Sequence, residues 1–493
     1  MFYEANEPSS ACRLWRIFMV ETSTPPSKRN ARTIVLELAQ VKGTQAFCKK
    51  LVAAEAIRLA SRGLKILVIT NLFPPHHAGT FDLRCEAAVN NLKLRGHQVR
   101  VLTSTHGMHL PQQGGEVERR LLLNGVYDHE LVTNYNDLKK IEVENHAVLR
   151  DAIAQFTPEV VHIFSLFGIS KSFLFHLRHC GVPTVYDVAD NWLTLEVKND
   201  PWLRWWNHPA MNMPRKALEL SGQRNSIDDL APTRLMKGYD RMPELYGANP
   251  LLNSLNAFRF ERIYFASPWL KESAELAGFQ VGHGEVIYPG IAAQTLVNEV
   301  KPASESVEKF LVVTSLHKRS GVLTAVKAIQ QLRKSNVRAS LSIYGKGDSS
   351  HVAELRSLIA LQQLPVEFLN VSNLVRDLPA VYRRHDALLY TSEEPEPFSL
   401  TVLEAMAAGL PVVGTALGGT RELLRHGENA FTYTPGEAYE LAMRIQELRL
   451  SPALRTQMAE TAQGEVLSDF NETVVTDRIE AFLETSLQSW QQS

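Results

Sequence analysis

The alternation of apolar and polar positions becomes regular at Lys65. KILVIT, from Lys65, is a continuous apolar run of the kind a strand buried on both faces requires. A loop with Pro74, Pro75 and Gly79 follows, then a helix-like stretch with Leu83, Ala87 and Leu94 on one side. Gly96 ends that stretch and QVRVLTS opens the next strand, completing a βαβ pattern. VVHIFSL from Val160, PTVYDVA from Pro183 and RIYFAS from Arg262 continue the strand series. A second series starts near Lys309: KFLVVTS, ASLSIYG, VEFLNV, ALLYTS, PVVGTA and AFTYT, with helical segments such as TAVKAIQQLR between several of them. Two runs of alternating β and α predict two doubly wound α/β domains, over residues 65–297 and 308–470. Lys, Ser, Glu and Pro-Ala between them, over 298–307, read as a linker. The amphipathic segment over 471–493 is expected to be a helix that crosses back over the first domain.

Two segments break the rhythm. Residues 1–64 begin with an apolar, basic CRLWRIFMV that is too short for a signal core, and the following ETSTPPSKRN has no small-residue cleavage pattern. This stretch is expected to be a poorly ordered appendage, or a start set too early with Met19 as the alternative. An insert at about 195–257 has few strand signals and much Pro, Asn and Trp. Four of the seven tryptophans, Trp192, Trp202, Trp205 and Trp206, fall in or beside it. Their indoles either stack on an acceptor sugar, with Trp192 the candidate, or pack a helical subdomain.

Composition narrows the class. A chain of 493 residues exceeds one ordinary core, and 45% apolar with 21% charged residues is globular. A formal charge of −1 argues against nonspecific nucleic-acid binding. No apolar run approaches the ~18 residues of a spanning helix. Cys12, Cys48, Cys85 and Cys180 are far apart, without CxxC spacing, so a reducing cytoplasm is the simplest setting. The histidines, among them His76, His77, His106, His109 and His162, show no HExxH or similar spacing and read as structural or surface groups.

The densest chemistry lies in EEPEPFSLTVLEAMAAGLPVV, from Glu393. ALLYTS before it reads as a buried strand, EEPEPF as a loop and SLTVLEAMAAG as a helix capped by Ser399 and ended by Gly409 and Pro411. The helix therefore starts at the carboxyl edge of a parallel strand, where open α/β sheets bind ligands, and amides at 399–401 suit a phosphate. Glu396 lies before that helix start and Glu404 about a turn inside it. A carboxylate can accept both hydroxyls of a vicinal diol, so a ligand with a sugar at each end and phosphate between them fits. Nucleotide-sugars have that layout. The alternative is that both acids merely stabilise a helix N-terminus.

The string EPFSLTVLEAMAAGLPVVGTALGGTRE resembles the E-x7-E region of retaining GT-B glycosyltransferases of the family 4 type, which includes sucrose and glycogen synthases and bacterial hexosyltransferases. The resemblance spans residues 65–482 and includes IYPGI at Ile287, SIYGKG and LPAVYRRHDALLYTS. It implies a GT-B fold, two Rossmann-like domains facing a cleft, with the donor held mostly by the second. Glu404 would then bind the nucleotide ribose and Glu396 the donor sugar hydroxyls. Phe398, Ser399, Leu400 and Thr401 would meet the sugar or diphosphate, and Gly79 and Thr80 would approach it from the first domain. No metal or other cofactor is implied. The partners implied are a nucleoside-diphosphate sugar and a glycan or lipid-linked acceptor, the latter with peripheral membrane contact.

Two departures stand out. Ser315 and Ser320, in VVTSLHKRSGV, occupy positions where the family often has Arg and Lys on the diphosphate; Lys318 and Arg319 are the local substitutes. In DVADNW, Asp190 remains but Ala189 stands where many members have histidine, leaving Asp190 or Asp187 for part of that role, with a helix cap as the alternative for Asp190. A non-catalytic GT-B protein and a sugar-nucleotide epimerase are the rival readings.

Overall fold

The computed structural model describes residues 63–77, 80–112, 114–197, 200–203, 258–369 and 374–492. Residues 1–62, Gly79, Trp205 and Trp206 lie outside them, as does most of the expected insert.

The first sheet contains β1 (Lys65–Ile69), β2 (Gln98–Ser104), β3 (Val117–Leu121), β4 (Val160–Ile163), β5 (Thr184–Val188), β6 (Arg262–Phe265) and β7 (Glu285–Val286), in the order β3-β2-β1-β4-β5-β6-β7. Its helices are α1 (Thr80–Leu94), α2 (Tyr135–Phe156), α3 (Ser172–His179) and α4 (Pro268–Leu276). The second sheet contains β8 (Lys309–Val313), β9 (Ser340–Tyr344), β10 (Val366–Phe368), β11 (Ala387–Tyr390), β12 (Val412–Gly414) and β13 (Phe431–Thr432), in the order β10-β9-β8-β11-β12-β13. With it go α5 (Val322–Lys334), α6 (Ser349–Gln362), α7 (Leu374–Arg384), α8 (Leu400–Ala407), α9 (Ala438–Leu450) and α10 (Pro452–Asp469), and α11 (Glu472–Gln492) closes the described chain. Among the described residues every strand pairing is parallel. Strand order reverses between β1 and β4 in one sheet and between β8 and β11 in the other, which places two switch points at the carboxyl edges.

The apolar runs became central strands because both of their faces are covered: Ile66, Leu67, Val68 and Ile69 are buried, as are all four residues of β11. β3, with sequence VERRL, has no such run. Its buried Glu118 meets Arg100 at 3.2 Å and Arg120 at 3.8 Å, and Arg119 donates to the carbonyls of Phe73 and Pro74. Its burial rests on paired charges, which an apolar pattern cannot reveal. In α1 the buried face is Cys85, Ala88, Val89 and Leu92, whereas Leu94 is 85% exposed.

α11 buries Val475, Ile479, Phe482 and Leu483 in one cluster with Ile66, Val68, Val89 and Leu92 of the first sheet and α1. The segment at 298–307 is not a free linker. Asp386 accepts from Lys301 Nζ at 2.5 Å and from the amides of Glu308 and Lys309, Arg455 donates to Glu305 O at 2.8 Å, and Gln463 donates to Asn298 O at 2.9 Å. Lys301 is held by Asp386 just before β11, and the segment's backbone carbonyls are held by α10. The passages from one sheet's layers to the other's are instead at Ile291 and Phe470, joined by Ile291 N–H to Phe470 O and Glu472 N–H to Ile291 O, both 2.9 Å. Among the described residues no helix is long and apolar enough to cross a membrane.

Candidate functional site

The loop from β11 to α8 and the turn from β8 to α5 flank the second sheet's switch point. Ser399 caps α8, its Oγ accepting from Val402 N–H at 3.3 Å. The amides of Leu400 and Thr401, in the first turn, have no intrahelical acceptor by construction. Leu400 is buried and Thr401 half-buried.

The glutamates of the loop have separate fates. Glu393 accepts from Thr324 Oγ1 at 2.6 Å, and its amide donates to Arg319 O at 2.9 Å. Glu394 pairs with Arg319 at 3.4 Å and faces His317 at 3.8 Å. Glu396 is half-buried; burial raises its pKa, against the opposing hydrogen bonds from Ser392 and Tyr390. Glu404 on α8 is 8% exposed and accepts from Tyr382 Oη at 2.9 Å. Burial pushes its carboxyl up to about 7, although the Tyr382 hydrogen bond lowers it. The motif thus presents two carboxylates on either side of a capped helix start, both with raised affinity for a proton.

The loop is held from below by two glycines of the LGGT segment, Gly418 and Gly419. Gly418 (φ +57°) and Gly419 run beside it, with Gly419 N–H donating to Glu396 O at 2.8 Å. A Cβ on Gly419 would lie 1.9 Å from Pro397 O, so only glycine fits there. LGGT is the signal, legible as a Gly-Gly pair just after a strand. Phe398 is not open to a ligand. Its buried ring packs between Tyr288 and Phe470 at centroid distances of 5.6 and 6.1 Å, so any part it takes in donor binding is indirect.

Ser320 is buried, with Oγ donating to His317 O at 2.7 Å, while Ser315 is exposed. Lys318 and Arg319 are both exposed on the turn before α5, and Arg319 is engaged with Glu394 and Glu393 O. Thr80 is the first residue of α1, at the carboxyl edge of the first sheet.

At that same edge Asp190 is half-buried and accepts from Trp192 N–H at 2.6 Å and Ser165 Oγ at 2.9 Å. It therefore caps a turn and borders the edge at once; burial pushes its carboxyl up to about 6. Asp187 is fully buried and takes Arg84 Nη1 at 2.6 Å and Tyr264 Oη at 2.9 Å. Because Tyr264 gives its proton to Asp187, it accepts from His162 Nε2 at 2.8 Å, which fixes a neutral, Nε2-protonated imidazole whose pKa burial lowers to about 3. Asp187 is thus a core group, out of reach of a substrate. For Trp192 the packing alternative holds and the candidate acceptor platform is corrected: it is fully buried and its indole donates to Asp187 O at 3.1 Å, leaving no face for a sugar.

The carboxyl edge of the first sheet also carries a cluster of two histidines, a tyrosine and an asparagine. His106 Nδ1 and His129 Nε2 are 3.2 Å apart, and the ring of His106 lies 5.8 Å from that of Tyr127, whose hydroxyl accepts from Asn71 Nδ2 at 3.2 Å. Tyr127 and Asp128 both have positive φ, 51° and 68°, a strained loop of the sort that accompanies ligand sites. Among the described residues no group of three or more His, Cys, Asp or Glu side chains has a metal-holding arrangement.

Residues 295–465 match the family model described as glycosyl transferases group 1. The glycogen synthase of Mycobacterium tuberculosis (strain H37Rv) is 28% identical over 218 residues, 43% of this chain and 51% of that protein. The N-acetyl-alpha-D-glucosaminyl L-malate synthase of Bacillus anthracis is 28% identical over 178 residues, 36% of this chain and 45% of that one. The chain thus spans about half the length of these curated relatives. Among solved structures, HepE of Anabaena in complex with UDP-glucose aligns at a TM-score of 0.57 and 18% identity, covering 86% of this chain and 100% of that one. Sucrose-phosphate synthase of Thermosynechococcus elongatus aligns at 0.61 and 17%, covering 86% and 99%. With its two parallel α/β sheets, the chain has the GT-B fold.

Proposed function

We propose that this GT-B chain is a retaining glycosyltransferase that moves a hexose from a nucleoside-diphosphate sugar to a glycan or lipid-linked acceptor. The observation that carries the reading is the pair of carboxylates, Glu396 and Glu404, on either side of the Ser399-capped start of α8. The match of residues 295–465 to group 1 glycosyl transferases supports it, as does the likeness to HepE, solved with UDP and with UDP-glucose.

In this reading Glu404 accepts the ribose hydroxyls and Glu396 those of the donor hexose. The amides at 399–401, Lys318 and the loop of Gly79 and Thr80 meet the diphosphate. The acceptor oxygen bonds to the anomeric carbon on the face from which the diphosphate oxygen departs, and that oxygen takes the acceptor's proton. The protein contributes positioning and stabilises the leaving charge, so neither a strong base nor a metal is required. Asp190 borders the acceptor hydroxyl. A cytoplasmic setting goes with the reading, with membrane contact only where the acceptor is lipid-linked.

The inward turn of Ser320 favours one rival, a GT-B protein that binds a nucleotide-sugar without turnover. Incubation with a panel of UDP-, GDP- and ADP-hexoses, followed by nucleotide release and the anomeric configuration of product, separates the two. Glu396→Ala is expected to abolish transfer while circular dichroism stays unchanged; full activity in that variant would remove the assignment. Binding without product for any acceptor would favour the rival.

A further inference from the structure

The phenol of Tyr382 does something that donor chemistry alone does not demand. Tyr382 lies on α7, the helix that leads into β11, and is fully buried in the cluster containing Leu378, Val381, Leu388 and Leu403. Its Oη donates to Oε2 of Glu404 at 2.9 Å. Among the described residues it is the only side chain that hydrogen-bonds that carboxylate, and it does so at Oε2 alone. A glutamate side chain has three rotatable bonds, whereas a phenol in a packed cluster has almost no freedom. The phenol therefore fixes the plane and the direction of the carboxylate.

We infer that Tyr382 is the positioning residue of the donor site: it holds one oxygen of Glu404 so that the other faces the two hydroxyls of a nucleotide's ribose, and thereby sets a preference for ribonucleotide over 2′-deoxyribonucleotide donors. The inference rests on the donor reading above and adds a residue and a selectivity to it. A phenol suits the task because it donates one hydrogen bond and, being buried, cannot itself reach the ligand. With the carboxylate aimed, a ribose fills its remaining lone pairs. A 2′-deoxyribose leaves one unfilled in a nearly buried site, where unpaired polar groups are penalised. Without the phenol the carboxylate turns freely, and both donors meet the same loosely placed group.

The test uses the full-length protein with UDP-glucose and its 2′-deoxyuridine counterpart, or the corresponding pair for whichever panel donor binds. Tyr382→Phe is expected to raise the KM and Kd for UDP-glucose about tenfold, a loss expected of one hydrogen bond to a charged group. Turnover at saturating donor should stay within about twofold, since the reacting carbon is untouched. The ribo-to-deoxy affinity ratio should fall toward one, which a merely structural loss would not cause. Glu404→Gln gives a second arm independent of that variant's folding. With Tyr382 holding the amide oxygen, its NH2 faces the diol, so Glu404→Gln should bind no better than Glu404→Ala. An unchanged ratio in Tyr382→Phe, or near-native binding by Glu404→Gln, overturns the inference while the donor reading stands. Absence of binding by wild type to every nucleotide-sugar overturns both.

Discussion

Glu396 and Glu404 share a motif but not an environment. Glu396 sits half-buried in a loop among Ser392, Tyr390 and the charge of Glu394, while Glu404 is nearly buried on a helix with one phenol for company. The seven-residue spacing and the Ser399 cap were legible because helix starts have local chemistry. The raised proton affinity was not, because it comes from burial of the carboxyl by tertiary packing, which outweighs the opposing hydrogen bond from Tyr382, 22 positions away. Two consequences follow from a Glu404 carboxyl near 7. A diol donates to the ionised form, so nucleotide-sugar affinity should weaken about tenfold per pH unit below 7 and level off above it, as read by calorimetry from pH 5.5 to 8.5. The ligand-free fold shows the opposite trend. A carboxyl whose folded pKa is raised binds more protons folded than unfolded between about pH 4 and 7, so its stabilising contribution is present below about 4 and lost as pH rises through 7. Glu404→Gln should therefore melt higher than wild type at pH 8, by on the order of 2 kcal/mol, and match it near pH 4. Ser320 and Trp192 show the limit of residue-level reading. Ser320 stood where the resemblance has a diphosphate-binding cation and Trp192 was a candidate for sugar stacking, and in both cases burial, which sequence position does not reveal, turned the side chain to a backbone carbonyl.

At the scale of elements, the loop between β11 and α8 owes its shape to its neighbours. Glu393 and Glu394 tie it to the turn before α5, and Gly418 and Gly419 carry it from beneath through Gly419 N–H and Glu396 O. α8 and the central strands were legible in full outline, since apolar runs, a serine cap and the Gly409–Pro411 stop all act locally. β3 was not, because its burial depends on Arg100, Arg119 and Arg120 finding partners across the sheet. The side-chain cluster at the first sheet's carboxyl edge was not legible either. His106, His129, Tyr127 and Asn71 come from the ends of three different strands and have no common spacing in sequence. The glycine shelf gives a sharp test of the loop. A methyl group on Gly419 would sit 1.9 Å from Pro397 O, so Gly419→Ala must push the loop away. Donor affinity is expected to drop by tenfold or more, with a melting-point loss of a few degrees, corresponding to about 1–3 kcal/mol of strain. Unchanged donor binding in Gly419→Ala would mean that the loop's position does not define the site.

Across the whole molecule, the composition-based linker and the structural junction are different places. Residues 298–307 are bound down by Asp386, Arg455 and Gln463, and the chain passes between the two sheets' layers at Ile291 and Phe470, hydrogen-bonded side by side. Phe470 and Tyr288, at that junction, pack their rings against each other at 5.5 Å and against Phe398, two residues from Glu396. Ser267 Oγ adds a direct tie from the first sheet's layer to Pro397 O at 2.8 Å. The loop between β11 and α8 is therefore built onto the junction, and on the proposed function an aromatic side chain far outside the E-x7-E string bears on donor geometry. Phe482 offers a control: it is a buried ring, 5.4 Å from Tyr264, on the face that α11 lays over the first sheet, away from the loop, whereas Phe470 is half-buried. Truncating either ring should cost stability, about 3–5 kcal/mol for the buried Phe482 and less for the half-buried Phe470. The two variants should part in function. Phe470→Ala should raise the KM for the nucleotide-sugar at a temperature well below its melting point, because Phe398 loses a wall and the Glu396 loop shifts. Phe482→Ala at the same distance below its own melting point should leave that KM unchanged. Equal KM values in the two variants would show that the junction holds the sheets together without shaping the donor loop.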